Sequence, residues 1–96
     1  MTKRQPIVVR QEIKIINKEG LHARPAAEFM RVAQAFRSEI WLAKEKKRFS
    51  AASIIEVLTA NLNYGDTAVI EAEGPDAAKA VARLVKLVRQ FAQSDS

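Results

Sequence analysis

The sequence predicts an α+β fold, a four-stranded antiparallel sheet with three helices packed on one face. Apolar residues alternate with polar ones at Ile13/Ile15, Ile40/Leu42 and Ala68/Ile70/Ala72, which is the signature of half-buried strands. Between these stretches the apolar spacing becomes helical. The resulting order is strand, helix, strand, strand, helix, strand, helix. Two strand–helix units split around a hairpin favour one antiparallel sheet with its helices on a single side. At 96 residues, the chain fits one domain spanning 1–96.

Residues 1–6 read as a loose, flexible tail. Residues 7–16 form the first extended region, with Ile13 and Ile15 on one face and Glu12 and Lys14 on the other. Asn17-Lys18-Glu19-Gly20 breaks the pattern as a loop. A helix follows, with Ala26, Phe29, Met30, Ala33 and Phe36 or Arg37 on its apolar side and Arg31 and Gln34 on its wetter side. Pro25 is compatible with a helix that starts just before it, because the first turn needs no donor there. His22 therefore falls at or next to the N-cap, and the amides of Ala23 and Arg24 are left without intrahelical acceptors.

Residues 39–43 form the second strand, 44–47 a charged turn and 48–51 a short third strand. Ser53-Ile54-Ile55-Glu56 matches a capping box, in which the serine and glutamate serve each other's backbone amides. The short helix that follows ends near Ala60-Asn61. Tyr64-Gly65-Asp66 is a turn, and residues 67–73 form the last strand. Gly74-Pro75-Asp76 ends that strand and starts the last helix, with a stripe of Ala77, Val81, Leu84, Val85, Val88 and Phe91. The open face of the sheet carries Trp41 and Val69. For Trp41 three readings stand side by side: a partner or dimer contact, a ring covered by the N-terminal tail, or a partly exposed aromatic filling a cross-strand gap.

Composition narrows the chemistry. With no cysteine, disulfides, a thiol nucleophile and cysteine-ligated metals are excluded. With one histidine, so is a His-rich metal site, and no metal or cofactor is expected. A domain of this size buries only about 60–65% of its unfolded-chain surface, so its chemistry belongs at the surface. There is neither a signal-peptide pattern nor an 18-residue apolar run, which makes cytoplasmic residence without membrane insertion the default expectation. The net charge of +5 fits nucleic acid, anionic lipid or an acidic protein partner.

The segment with the most chemistry is Gly20-Leu21-His22-Ala23-Arg24-Pro25-Ala26-Ala27. A lone histidine is more often structural, satisfying a loop carbonyl or capping a helix. Three local features favour chemistry instead. A neutral imidazole is a competent nucleophile near neutral pH, because its ordinary pKa is about 6.5. Free amides at a helix start form an anion site. Arg24 in the first turn opposes the helix dipole, a placement easier to understand if an anion visits. Together they suggest a phosphoryl acceptor at His22, with Arg24 and the amides of Ala23 and Arg24 holding charge on the phosphoryl oxygens. The absence of a Walker A or glycine-rich nucleotide motif suggests a carrier rather than a self-contained enzyme.

The same segment resembles the active-site signature of the histidine-containing phosphocarrier proteins, the HPr family. The resemblance runs from about Glu12 to Phe91 and includes Ser53-Ile54-Ile55 and Glu73-Gly74. It implies an open-faced β-sandwich and phosphorylation of His22 on Nδ1 by phosphoenolpyruvate-charged Enzyme I. It also implies onward transfer to the IIA domains of sugar permeases. Arg24 matches the family arginine. Ser53 matches the serine that HPr kinase/phosphorylase modifies in many Gram-positive and some other bacteria, and Ile54 and Ile55 match the apolar docking pair. The chain departs from the family pattern in its longer N-terminal tail, in Glu19, in Asn61 where many members have glycine, and in Trp41.

Two roles remain open for Ser53. It is first the N-cap of the second helix, expected across from the start of the first and worth roughly 0.5–2 kcal/mol, and the resemblance adds regulation. Ile54, Ile55 and Leu58 cannot all face inward on so short a helix. With Ala27, and with Arg24, Arg31 and Lys47 around them, they form a candidate docking patch with an apolar centre and a basic rim; the opposing reading puts Ile54 and Leu58 in ordinary core and leaves Ile55 alone outside. The run from Lys44 to Arg48 reads as a solvated hairpin. A nitrogen-related regulatory carrier would share the His22 chemistry. A nucleic-acid module is disfavoured, because Trp41 is the only clear aromatic on the open face where base stacking needs several.

Overall fold

The structure is a computed structural model that describes residues 7–94; the stretch read as a tail, 1–6, lies outside the described residues. The chain runs β1 (Val8–Lys14), α1 (Ala23–Gln34), β2 (Glu39–Lys44), β3 (Lys47–Ser50), α2 (Ile54–Thr59), β4 (Thr67–Glu73) and α3 (Ala77–Ser94). The strands form one sheet in the order β1-β4-β2-β3, with every neighbouring pair antiparallel. The α+β expectation holds, with four strands and three helices.

Alternation assigns the faces. Ile13, Ile40, Leu42, Ala68, Ile70 and Ala72 point from the sheet into the core. The helices meet them with Ala26, Phe29 and Ala33 from α1, Val57 from α2, and Ala77, Val81, Leu84, Val88 and Phe91 from α3. Ala80 and Leu87 are also buried, which widens the α3 stripe, whereas Val85 only packs against its edge. Ala68 and Ala72 on β4 and Ala77 and Ala80 on α3 are small, allowing the long helix to lie close to the sheet.

Three local expectations are corrected. The β2–β3 turn is tighter than the four residues expected: Lys44 and Lys47 pair across the ladder, leaving Glu45 and Lys46 as the turn, and Glu45 adopts a left-handed φ of 59°. The capping box is only half formed. Ser53 Oγ accepts from the Glu56 amide at 3.3 Å, but the Glu56 carboxylate accepts from the Ser50 amide at 2.9 Å rather than from Ser53. The Ser53 amide instead donates to the Ser50 carbonyl. Third, Asp76 does more than begin α3. Its carboxylate reaches to the far side of the α1–β2 connection, accepting from the Arg37 amide at 3.0 Å, the Ser38 amide at 2.9 Å and the Ser38 hydroxyl at 2.6 Å.

The open face of the sheet carries a charged ladder around Trp41. Arg10, Glu71, Trp41 and Ser50 lie in register across β1, β4, β2 and β3. Arg10 donates to Glu71, and Arg48 Nε lies 3.2 Å from the other Glu71 oxygen, an ion pair without hydrogen-bond direction. The Arg48 guanidinium sits 3.8 Å from the Trp41 ring centroid, a cation–π stack. Trp41 is half-buried beneath that stack, which favours the cross-strand reading. The proposed cover by the tail falls on residues outside the described range.

The Asp76 clasp makes stability depend on acid. The Ser38 hydroxyl, followed by the Arg37 amide, holds the Asp76 carboxyl below its ordinary range. A carboxylate depressed in the folded state stabilises fully above the unfolded pKa, about 3.9, and loses that contribution as pH falls through the folded value. Asp66 is depressed in the same direction by the Asn63 amide and Lys44. Thermal melts of wild type should therefore fall steeply below about pH 4, whereas Asp76→Asn should start lower at neutral pH and fall less. Identical melting curves for the two proteins across this range would remove the clasp from the stability of the fold.

Candidate functional site

The geometry of the site begins with a glycine. Gly20 has a φ of +67° and lies so close to the α2–β4 loop that a Cβ would stand 2.3 Å from the Leu62 carbonyl oxygen. No side chain fits there, and the left-handed backbone is cheap only for glycine. The next amide, from Leu21, donates to that same Leu62 carbonyl at 2.8 Å. The Leu21 side chain is buried, and the chain turns at once into α1.

His22 is the N-cap of α1, in extended conformation, and its side chain makes no capping hydrogen bond. Its carbonyl accepts the first helical bond, from the Ala26 amide at 2.8 Å. The amides of Ala23 and Arg24 precede that bond, and residue 25 is proline, so these two N–H groups form the donor pair of the helix start. Arg24 is exposed, and among the described residues its guanidinium makes no ion pair. The first turn of α1 contains no acidic residue to neutralise it. A cation, two free amides and an exposed imidazole thus occupy consecutive positions along one groove, a combination suited to holding an anion beside a nucleophile.

The site is open rather than enclosed. A groove of about 820 Å³ runs between the first turn of α1 and the last turns of α3, with His22, Arg24 and Pro25 on one wall and Leu87, Gln90 and Phe91 on the other. Glu19 and Glu28 also line it, as does the buried Asn17, which the sequence reading treated only as a loop breaker. Its burial is not legible from neighbours in sequence, because the residues that cover it come from other parts of the chain.

The residues expected to dock a partner divide. Ile55 is 71% exposed and Leu58 43%, while Ile54 packs partly against the core and Val57 is fully buried. Ala27 is half-buried on α1. The apolar surface of α2 is therefore centred on Ile55 and Leu58, with Arg31 and Lys47 exposed as the basic elements expected around it. Lys44, by contrast, is committed internally: its ammonium donates to the Asn61 carbonyl at 2.7 Å and to Asp66 at 3.1 Å. Glu45, Lys46 and Lys47 are exposed, as expected of a solvated hairpin, whereas Arg48 is engaged by Trp41 and Glu71. Asn61 has a φ of 53°, which explains how it stands where glycine is usual: asparagine tolerates the left-handed conformation better than other side chains.

Ser53 is not across from the start of α1. Gln34, the last residue of α1, donates to the Ala52 carbonyl at 3.0 Å, so the start of α2 lies beside the end of α1. At 1.5 Å per residue, the helix separates Ser53 from the His22 level by about 18 Å. The reason is topological: the short β3 places the start of α2 at the distal end of the sheet, and α2 then runs back antiparallel to α1. Among the described residues, no group of histidine and acidic side chains could hold a metal ion, and no helix is long and apolar enough to cross a membrane.

The comparisons with known proteins point one way. A family model described as the PTS HPr component phosphorylation site matches residues 9–90. The phosphocarrier protein HPr of Vibrio cholerae is 40% identical over 81 residues, spanning 84% of this chain and 95% of its own. That of Haemophilus influenzae is 41% identical over 78 residues, spanning 81% and 92%. The crystal structure of an HPr from Thermoanaerobacter tengcongensis superposes with a TM-score of 0.84 at 38% identity, covering 88% of this chain and 96% of that one.

Proposed function

The chain belongs to the HPr family of phosphotransferase-system phosphocarriers, and from that premise we propose that His22 is its phosphoryl acceptor and that Arg24 and the amides of Ala23 and Arg24 hold the transferred charge. The observation that carries this reading is the convergence at the start of α1. An exposed imidazole without a capping bond, two N–H groups without helical acceptors and a guanidinium with no ion pair among the described residues stand at consecutive positions of one helix start and line one groove.

The chemistry is a reversible displacement at phosphorus. The lone pair of one ring nitrogen, Nδ1 by the family resemblance, forms the N–P bond as the bond from phosphorus to the donor breaks. The other ring nitrogen keeps its proton, so the neutral ring becomes a phosphoimidazolium on attack and returns to the neutral base when the N–P bond electrons go back to nitrogen on onward transfer. Negative charge on the phosphoryl oxygens is met by Arg24 and by the positive end of the α1 dipole. The groove is open, so a partner's phosphorylated side chain can approach in line. In this reading the donor is phosphoenolpyruvate-charged Enzyme I and the acceptors are IIA domains of sugar permeases.

Docking and regulation occupy the surface between His22 and Ser53. Ile55 and Leu58 supply the apolar centre, and the basic side chains around them suit an acidic partner face. A phosphate on Ser53 would lie about 18 Å from the His22 level along α1. Its charge would therefore act on docking beside Ile54 and Ile55, not on the chemical step. Ser53 Oγ already accepts from the Glu56 amide, a bond that phosphoserine oxygens can also accept, so the helix start survives modification.

With Enzyme I and phosphoenolpyruvate, wild type should gain one acid-labile phosphoryl group by intact mass, and His22→Ala none. Arg24→Ala should stay folded, because the side chain is exposed, and transfer about tenfold or more slowly, a loss of about 1.4 kcal/mol in transition-state stabilisation. Equal labelling of His22→Ala would place the acceptor elsewhere, and an unchanged single-turnover rate would remove Arg24 from the mechanism. Docking is read separately, from initial rate against Enzyme I concentration. Ile55→Glu and Ser53→Asp should both raise the concentration needed for half-maximal rate, with the saturated rate and the melting curve little changed. Wild-type curves for Ile55→Glu would move the interface off α2, and wild-type curves for Ser53→Asp would leave that serine a helix cap.

A further inference from the structure

Asn17 stands out because its polar capacity is only half used. The residue is 1% exposed and belongs to the largest fully buried side chains. Its Nδ2 donates to the Gly20 carbonyl at 2.8 Å, while its Oδ1 has no hydrogen-bond partner. Burying an amide oxygen unpaired is unfavourable. An apolar residue of similar volume would avoid that cost, so the half that is satisfied must matter to something.

What Nδ2 holds is one end of a peptide group. The Gly20 carbonyl and the Leu21 amide belong to the same planar unit. Its oxygen is held by Asn17, and its N–H donates to the Leu62 carbonyl at 2.8 Å. Gly20 is also pressed against Leu62 from the side, and its own amide donates back to the Asn17 carbonyl at 3.1 Å. A peptide plane gripped at both ends cannot rotate about its flanking bonds. It therefore fixes the direction in which the chain enters His22.

His22 needs that external control. Its side chain makes no capping bond and lies exposed at the helix start, so the imidazole takes its position from the backbone beneath it. Asn17 and His22 line the same groove. Near-attack geometry is sensitive to displacements of about an ångström. We propose that Asn17 is a positioning residue for phosphoryl transfer: through Nδ2 it locks the Gly20–Leu21 peptide and so aims the His22 imidazole. This rests on His22 being the phosphoryl acceptor.

The decisive variant is Asn17→Asp, which is isosteric but can donate to the Gly20 carbonyl only when protonated. Burial beside a carbonyl raises that carboxyl's pKa. Relative to wild type at each pH, the variant should transfer phosphoryl at a near-normal rate when its carboxyl is protonated. As the carboxyl ionises, the maximal rate should fall about tenfold, with the KM for Enzyme I unchanged. Asn17→Ala, which cannot donate at any pH, should be about tenfold slower throughout, with unchanged KM. In wild type the Asn17 side-chain amide should show a through-hydrogen-bond NMR coupling to the Gly20 carbonyl, a readout that needs neither a variant nor a partner. A wild-type rate for Asn17→Ala, losses in both variants that only track their unfolded fractions, or absence of the coupling would overturn the proposal. Wild type left unphosphorylated, or labelled away from His22 with the coupling present, would instead refute the acceptor assignment and take this proposal with it.

Discussion

The functional end of the molecule depends on one close approach, in which the Leu62 carbonyl lies against Gly20 and accepts from the Leu21 amide at 2.8 Å. This contact ties the β1–α1 loop to the α2–β4 loop, two segments far apart in sequence. It requires a residue with no Cβ and a positive φ, and so explains the glycine two places before His22. From this strap the rest of the end follows. The Ile15 amide donates to the Asp66 carbonyl and the Gly65 amide donates to the Ile15 carbonyl, extending the β1–β4 pairing beyond the ladder. Lys44 closes the other side by donating to both Asn61 and Asp66. His22 thus stands on a braced platform while its own side chain remains exposed.

The opposite end of the sheet is held by a different device. Asp76 satisfies two amides and a hydroxyl where α1 gives way to β2, and the Ser38 hydroxyl accepts in return from the Asp76 amide at 3.3 Å. Gly74 passes so near Ser38 that a Cβ would lie 2.7 Å from its Cα, with a φ of +148°. Both ends therefore use the same solution: a glycine allows two backbones to approach, and hydrogen bonds keep them there. The load differs. One strap lies beneath His22 at the start of α1, and the other joins the α1–β2 connection to the start of α3.

Separating transfer from docking has a physical advantage for a carrier. The groups proposed to meet the phosphoryl lie in one turn of helix, where bond lengths and the helix dipole set their geometry. The proposed partner surface instead spreads across α2, where Ile55 and Leu58 are exposed without disturbing Val57 beneath them. One nucleophile can then serve different partners, each reading the same patch. Charge added at Ser53 would, on the proposed reading, act on recognition without entering the reacting centre, because a helix of about 18 Å lies between them. On the sheet's other face, Arg48 covers Trp41 and joins Glu71, so the large aromatic on the open face is already engaged within the chain.

By itself the sequence determined what depends on near neighbours. Alternation at Ile13/Ile15 and Ala68/Ile70/Ala72 set the strands and their faces, helical spacing set α1 and α3, and Pro25 with His22 set where α1 begins. The imidazole, the arginine and the free amides were legible together because they occupy three consecutive positions of one helix start. What tertiary structure decided lies in contacts between distant residues. Arg10 meets Glu71 across 61 positions and Ser38 meets Asp76 across 38, neither of which any local pattern encodes. Ser53 was misplaced toward His22 because its motif fixes a helix cap but not the direction that helix takes along its neighbour. Asn17 read as a loop breaker because burial is a property of what packs over a residue. Periodicity follows from the geometry of a single element, whereas burial, partners and distances follow from how the elements are brought together.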